Sequence, residues 1–279
     1  METALLNYFV YNNEIRSTCD FNPYPLKSGL AIYEVLRVSD GVLLFLEDHL
    51  NRFYRSARIE NIQLPFSSDT VKKRLQALLS YNHIQQGNVK FLYHIDGEGN
   101  NRFMAWLMPY FYPSEMQYRQ GVSVGLMDAQ RPRPNAKKAL YSLREKADEI
   151  IRSNQWYEVL YVSNGIITEG SRSNVFFVKG DVFFTPSSSL VLEGVTRSKV
   201  IQLIAEKGFE LRQQEIIPEQ IKAFDACFLT GTSPNILPVR EVEKIPFMVG
   251  HIAMRQLMAA YEQLTNRYIK THKNETPAG

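Results

Sequence analysis

Cysteine is nearly missing from this 279-residue chain: Cys19 and Cys227 are the only two. They lie far apart in sequence and form neither a CxxC pair nor a cluster with histidine, so neither a disulfide framework nor a cysteine-based zinc site is suggested. The five histidines are scattered, none pairs at metal-ligand spacing, and no metal is expected. No apolar run reaches about eighteen residues, which leaves no candidate for a membrane-spanning helix. Met1-Glu2-Thr3-Ala4 lacks the basic start and apolar core of a signal peptide, and the chain reads as cytoplasmic. Blocks of like charge are also missing. The net charge of +3 is spread along the chain, which argues against nucleic acid and leaves acidic or phosphorylated small molecules as fitting ligands. There is no internal repeat.

What is present is an ordinary globular composition, 44% hydrophobic and 22% charged, long enough for one large domain or two medium ones. The start reads as strand, Asn12-Asn13 turn and strand. Ile32–Val38 and Val42–Phe45 flank Asp40-Gly41, the pattern of a tight hairpin. Asp48 is placed to cap a helix whose Leu46, Leu50, Phe53 and Ala57 share one face, with Arg52 on the opposite face. A second helix is expected over 69–81, then strands over 89–95 and 103–111. Residues 1–113 thus read as a small α+β domain, and the polar segment 114–121 as a linker.

From 122 to 279 the pattern predicts a larger, mainly antiparallel and barrel-like domain with flanking helices. Its strands are expected at 122–127, 157–162, 166–168, 175–178, 182–184 and 227–230. Helices are expected over 143–152, 196–207 and 250–268, the second stopping at Gly208, and the tail from Lys270 is expected to be disordered. Cys227 lies in an apolar run, where it reads as a small buried hydrophobe. The fold class is α+β with two domains.

The stretch that stands out is Thr168-Glu169-Gly170-Ser171-Arg172-Ser173-Asn174, which leads into the apolar run Val175–Val178. It places one carboxylate among small hydroxyl residues at the mouth of a strand that reads as buried. Upstream lies Lys137-Lys138-Ala139-Leu140-Tyr141-Ser142-Leu143. Downstream, Leu192-Glu193-Gly194-Val195-Thr196-Arg197 is a glycine turn opening a helix, a place where backbone N–H groups and the dipole favour an anion. Asp48-His49-Leu50-Asn51-Arg52-Phe53 precedes them all.

In order and spacing, from about Ile32 to about Val239, these segments resemble the fold-type IV family of pyridoxal-phosphate enzymes: branched-chain and D-amino-acid aminotransferases and aminodeoxychorismate lyases. The resemblance implies pyridoxal 5'-phosphate as cofactor, bound in the larger domain, and a homodimer. Lys138 matches the family's Lys-x-Leu-Asn-x-Leu and would carry the Schiff base, although counting back from Glu169 without a gap favours Lys137. Glu169 matches the acid that faces the pyridine nitrogen. Arg52, Val195, Thr196 and Thr232 match phosphate contacts, with Arg172 and Ser173 on the same rim. Tyr33, Arg102 and Ser233 are the candidates toward substrate. Tyr141 stands where the family has Asn, and Pro25–Ala31 replaces its usual Tyr/Phe-Gly-Asp-Gly turn, so substrate class does not carry over. The implied activity is transfer of an amino group between an amino acid and a 2-oxo acid. The alternatives are the lyase, releasing pyruvate and 4-aminobenzoate, and a catalytically idle relative. Val35, next to Glu34, offers no hydroxyl where lyase members tend to have threonine, which points to transamination.

Overall fold

The computed structural model describes residues 2–23, 26 and 28–273. The chain divides into two compact units: Met1–Phe111 with Ala136–Ala139 and Thr265–Gly279, and Tyr112–Asn135 with Leu140–Leu264.

The first unit contains β1 (Leu5–Tyr11), β2 (Glu14–Ser17), β3 (Leu30–Ser39), β4 (Val42–Leu43), α1 (Leu46–Ile59), α2 (Ser68–Asn82), β5 (Gln86–Ile95) and β6 (Asn101–Met108). The strands form one antiparallel sheet in the order β2-β1-β6-β5-β3-β4. Strand periodicity sorts its two faces. Val89, Phe91 and Tyr93 of β5 pack with Phe103, Ala105 and Leu107 of β6 against Leu50, Phe53, Val71 and Leu75 of the helices. On the other face Leu92, Met104 and Trp106 cluster with Phe9 and Tyr33.

Asp40 and Gly41 both take positive φ, 50° and 74°, the conformation a two-residue hairpin requires. The strand expected to reach residue 111 stops at Met108, because Pro109 has no N–H to continue the ladder. α1 begins at Leu46, two residues before the expected cap. Its N-cap, Phe45, makes no side-chain bond, and the Leu46 N–H instead donates to the Tyr268 hydroxyl at 3.1 Å. Asp48 therefore lies within the first turn, where its charge suits the positive helix end.

Residues Ala136–Ala139 run against β3: the Tyr33 N–H donates to the Lys137 carbonyl and the Ala139 N–H to the Ala31 carbonyl, each at 3.0 Å.

The second unit begins with α3 (Glu115–Gln120), β7 (Val122–Asp128), α4 (Tyr141–Asn154), β8 (Glu158–Ser163), β9 (Ile166–Gly170), β10 (Asn174–Lys179) and β11 (Val182–Thr185). It continues with α5 (Val195–Glu206), β12 (Glu210–Gln213), β13 (Ala226–Gly231), β14 (Asn235–Val242), β15 (Ile245–Pro246) and the start of α6 (Ile252–His272). Its sheet runs β12-β11-β10-β13-β14-β7-β8-β9, with β15 paired to β14. The pairs β11/β12, β14/β7 and β7/β8 are parallel and the others antiparallel. Cys227 is fully buried among Val175, Phe177 and Leu229, and burial pushes its thiol pKa up.

Two stretches, in the expected linker and tail, differ from the sequence reading. The segment expected as linker holds α3, closed by a capping box between Ser114 and Gln117. α6 continues to His272, so Lys270 is helical. The rest of the expected disordered tail, 274–279, lies outside the described residues, as do Pro25 and Lys27 of the divergent turn.

Candidate active site

In the second unit, the register of the sheet gathers three loops at one end of its strands. Asn174 opens β10 opposite Thr230 of β13, so the chain entering β10 and the chain leaving β13 at Gly231 emerge side by side. A Cβ on Gly231 would lie 3.4 Å from the Arg172 carbonyl oxygen. The third loop, ahead of α5, is tied to the same place. Asn174 donates its amide to the Leu192 carbonyl at 2.9 Å, and the Leu192 N–H donates to Glu169 at 3.2 Å. A Cβ at Gly194 would come within 2.2 Å of Asn174 Oδ1, so glycine is what lets this amide sit against the helix entry.

Glu169 is only 3% exposed. Besides Leu192 it meets Arg131, whose Nε lies 2.8 Å from its carboxylate. A buried carboxylate requires such charge and hydrogen-bond partners. Beside it, α5 starts from Gly194 with no side chain capping its first-turn N–H groups, and Val195 and Thr196 are both buried. Backbone donors, a positive dipole end and a hydroxyl thus coincide at one helix start.

Ser173 and Arg172, expected on the cofactor rim, make contacts of their own within the protein. The Ser173 hydroxyl donates to Glu158 at 3.1 Å, as does the Ser171 hydroxyl at 2.6 Å, and the Arg172 N–H adds a third bond at 3.0 Å. The Arg172 side chain is 57% exposed and pairs with Asp148 on α4. Glu158, which the sequence reading passed over, is the buried anchor of this loop. Burial raises its pKa, against the opposing charge of Arg144 and the hydroxyl and backbone hydrogen bonds. An acid inside Tyr157-Glu158-Val159-Leu160 was the available signal. Arg131 was also passed over, hidden between an ordinary loop and Pro132.

In the first unit the prominent feature is a buried ionic cluster. Arg52, set on the polar face of α1, is 5% exposed; its Nε and Nη2 donate to the two oxygens of Glu34 at 2.7 and 2.6 Å. His49 Nδ1 lies 2.8 Å from the same carboxylate. Burial works to raise the Glu34 pKa, but the Arg52 charge and the hydrogen bonds from Arg52 and His49 outweigh it and hold the carboxyl down to about 2. Burial also lowers the His49 pKa, more than Glu34 raises it. One turn along α1, the Ser56 hydroxyl accepts from the Lys137 N–H at 3.0 Å.

The two lysines of the 136–139 segment part company. Lys137 Nζ lies 4.8 Å from the Tyr33 ring centroid, whereas Lys138 Nζ lies 3.4 Å from Glu60. Tyr33 and Lys137 are thus brought together, near the Arg52 cluster. Arg102 is turned to Asp96 of its own hairpin at 2.7 Å. In the second unit Thr232 and Ser233 occupy the turn after β13, half-buried. Among the described residues no group of three or more His, Cys, Asp or Glu side chains is arranged to hold a metal, and no helix is long and apolar enough to cross a membrane.

Residues 31–242 match the family described as Amino-transferase class IV. A D-alanine aminotransferase from Bacillus licheniformis is 31% identical over 245 residues, covering 82% of this chain and 85% of its own. A branched-chain-amino-acid aminotransferase from Pseudomonas aeruginosa is 26% identical over 271 residues, covering 89% and 88%. Among solved structures, the branched-chain amino acid aminotransferase of Escherichia coli matches with a TM-score of 0.85 at 24% identity, over 94% of this chain and 95% of that one. A second branched-chain amino acid aminotransferase, that of T.th. with pyridoxamine 5'-phosphate, gives 0.85 at 22% identity, over 96% and 98%. At those identities the structural likeness is one of fold.

Proposed function

The chain belongs to the class IV aminotransferase family, and from that premise we propose how its own residues serve the transfer of an amino group between an amino acid and a 2-oxo acid. It is a pyridoxal-phosphate-dependent enzyme of this family. The donor set fits that cofactor. A buried acid suits a protonated ring nitrogen, and an uncapped helix start with a buried hydroxyl suits a phosphate.

When bound, the cofactor supplies an electron sink for the charge left on Cα as its proton departs. Glu169 would face the cofactor's ring nitrogen and hold a proton there, with Arg131 and the Leu192 N–H fixing the carboxylate's direction. The Val195 and Thr196 N–H groups, the Thr196 hydroxyl and Thr232 would hold the phosphate; Arg52, which the family resemblance also assigns to the phosphate, is held in place by Glu34 and His49. Ser173 and Arg172, which the resemblance puts on the phosphate rim, would also shape the Glu169 loop through Glu158. Tyr33, Arg102 and Ser233 are the residues that the resemblance assigns to substrate, and Arg102 would have to leave Asp96 to reach it.

The lysine that would carry the cofactor and move the Cα proton is, on the family resemblance, one of the two in the 136–139 segment. The motif Lys138-Ala139-Leu140 supports Lys138. A second reading, Lys137, is supported by its position over Tyr33 and by its charge acting on His49. We also infer a homodimer, on the family resemblance.

The observation that carries the reading is the convergence of Glu169, the α5 start and the Gly231 turn at one end of the second sheet. Relatives named as aminotransferases do not favour the lyase or idle alternatives. A nitrogen-15-labelled amino acid, supplied with an unlabelled 2-oxo acid, tests the reading. Label must appear in a new amino acid for L- or D-substrates. Its absence across a broad panel with loaded protein refutes transamination.

A further inference from the structure

Lys90 is a cation that the mechanism above leaves unused. It sits within β5 and is only 6% exposed, a position lysine takes when its charge is matched. Strand alternation places it on the face of Leu92, opposite the helices. There its Nζ lies 4.6 Å from the Tyr33 ring centroid and 5.6 Å from that of Trp106. Aromatic faces stabilise a desolvated ammonium only in part. Its anionic partner is the Glu2 carboxylate, carried by a segment outside any strand or helix.

We propose that Lys90 is a binding residue for a substrate carboxylate, and that Glu2 is an internal carboxylate which the substrate's own displaces. The inference rests on the transamination reading, since amino acids and 2-oxo acids all bear a carboxylate. Three observations support it: the cation is buried and therefore costly to leave unmatched, it shares the Tyr33 ring with Lys137, and its present partner comes from a segment outside any strand or helix. An intramolecular competitor lowers apparent affinity by the fraction of time it occupies the site. Removing Glu2 therefore strengthens substrate binding, and removing Lys90 weakens it.

Steady-state kinetics of the loaded enzyme with a monocarboxylic and a dicarboxylic amino acid provide the test. Lys90→Met is expected to raise KM about tenfold or more with kcat nearly unchanged, as fits loss of a charge-assisted contact. Lys90→Arg should retain most affinity, and Glu2→Gln should lower KM several-fold. A rise in KM for both substrates assigns Lys90 to the α-carboxylate, and a rise for the dicarboxylic one alone assigns it to the distal carboxylate. Calorimetric binding of acetate and glutarate should follow the same order without turnover. An unchanged KM in Lys90→Met, or a KM unchanged or raised in Glu2→Gln, overturns the proposal. Wild-type enzyme that transfers no amino group at all would instead overturn the functional reading beneath it.

Discussion

Both oxygens of Glu34 accept from Arg52, at 2.7 and 2.6 Å, while His49 approaches the same carboxylate at 2.8 Å. Three residues from β3 and α1 thus form a buried unit in which one carboxylate fixes the arginine assigned to the phosphate. If Arg52 binds the phosphate as proposed, its side chain is already ordered by Glu34, so less entropy is lost on binding.

This cluster predicts how the fold responds to acid. Glu34 has its pKa depressed from the ordinary 4.5 to about 2, so its contribution is complete above about 4.5 and is lost as pH falls toward about 2. The span is worth on the order of 3 kcal/mol. His49 is also depressed, from 6.5, so stability begins to fall once pH drops below that value. Denaturant unfolding across pH 3 to 8 (a range of about five units) should show both losses, with Glu34→Gln removing the lower one. A curve flat below pH 6 (roughly the histidine range) contradicts the buried arrangement.

Arg52→Ala should raise the cofactor dissociation constant about tenfold or more, the effect of losing a charge-assisted contact of roughly 1.5–3 kcal/mol. It also leaves Glu34 buried without its main counter-charge, so the melting temperature should fall. Equilibrium dialysis separates the two effects; an unchanged dissociation constant removes Arg52 from the phosphate site.

Reduction of the loaded protein with borohydride, followed by peptide mapping, should attach the cofactor to the 136–139 segment. The motif predicts the label on Lys138, and the Tyr33 contact of Lys137 is the reason to look there second. Label on neither lysine refutes both.

Glu169→Gln should lower kcat on the order of a hundredfold, the range seen when one electrostatic partner of a transition state is lost. Cofactor affinity should change much less. Because Arg131 stands 2.8 Å from this carboxylate, the variant should also be less stable. A variant with wild-type kcat means that Glu169 serves only structure, through Arg131 and the Leu192 N–H.

The sequence disclosed what is local. Asp40-Gly41, the Gly194 helix entry and the Glu169 loop are short motifs whose backbone demands are written in adjacent residues. The burial of Arg52 was not legible: α1 periodicity put it on the polar face, and its partner Glu34 is brought there only by packing of α1 against β3. The Asp148 partner of Arg172 was not legible either, since the arginine's motif neighbours are buried while its own side chain turns out to α4. The capping box that makes α3 a helix was spelled out in Ser114 to Gln117, but Pro113 and the polar run suggested a linker. Glu158 and Lys90 lie inside apolar strands, where only tertiary partners reveal what a charge is for.

The most direct measurement is a half-reaction. Loaded protein is mixed with an amino acid in the absence of any acceptor, and the 2-oxo acid formed is counted before a second 2-oxo acid is added. Transamination predicts release of the 2-oxo acid in proportion to protein, with amino-acid formation only after the second addition. If aminodeoxychorismate instead releases pyruvate and 4-aminobenzoate catalytically, and no amino acid of either hand yields its 2-oxo acid, the account is wrong.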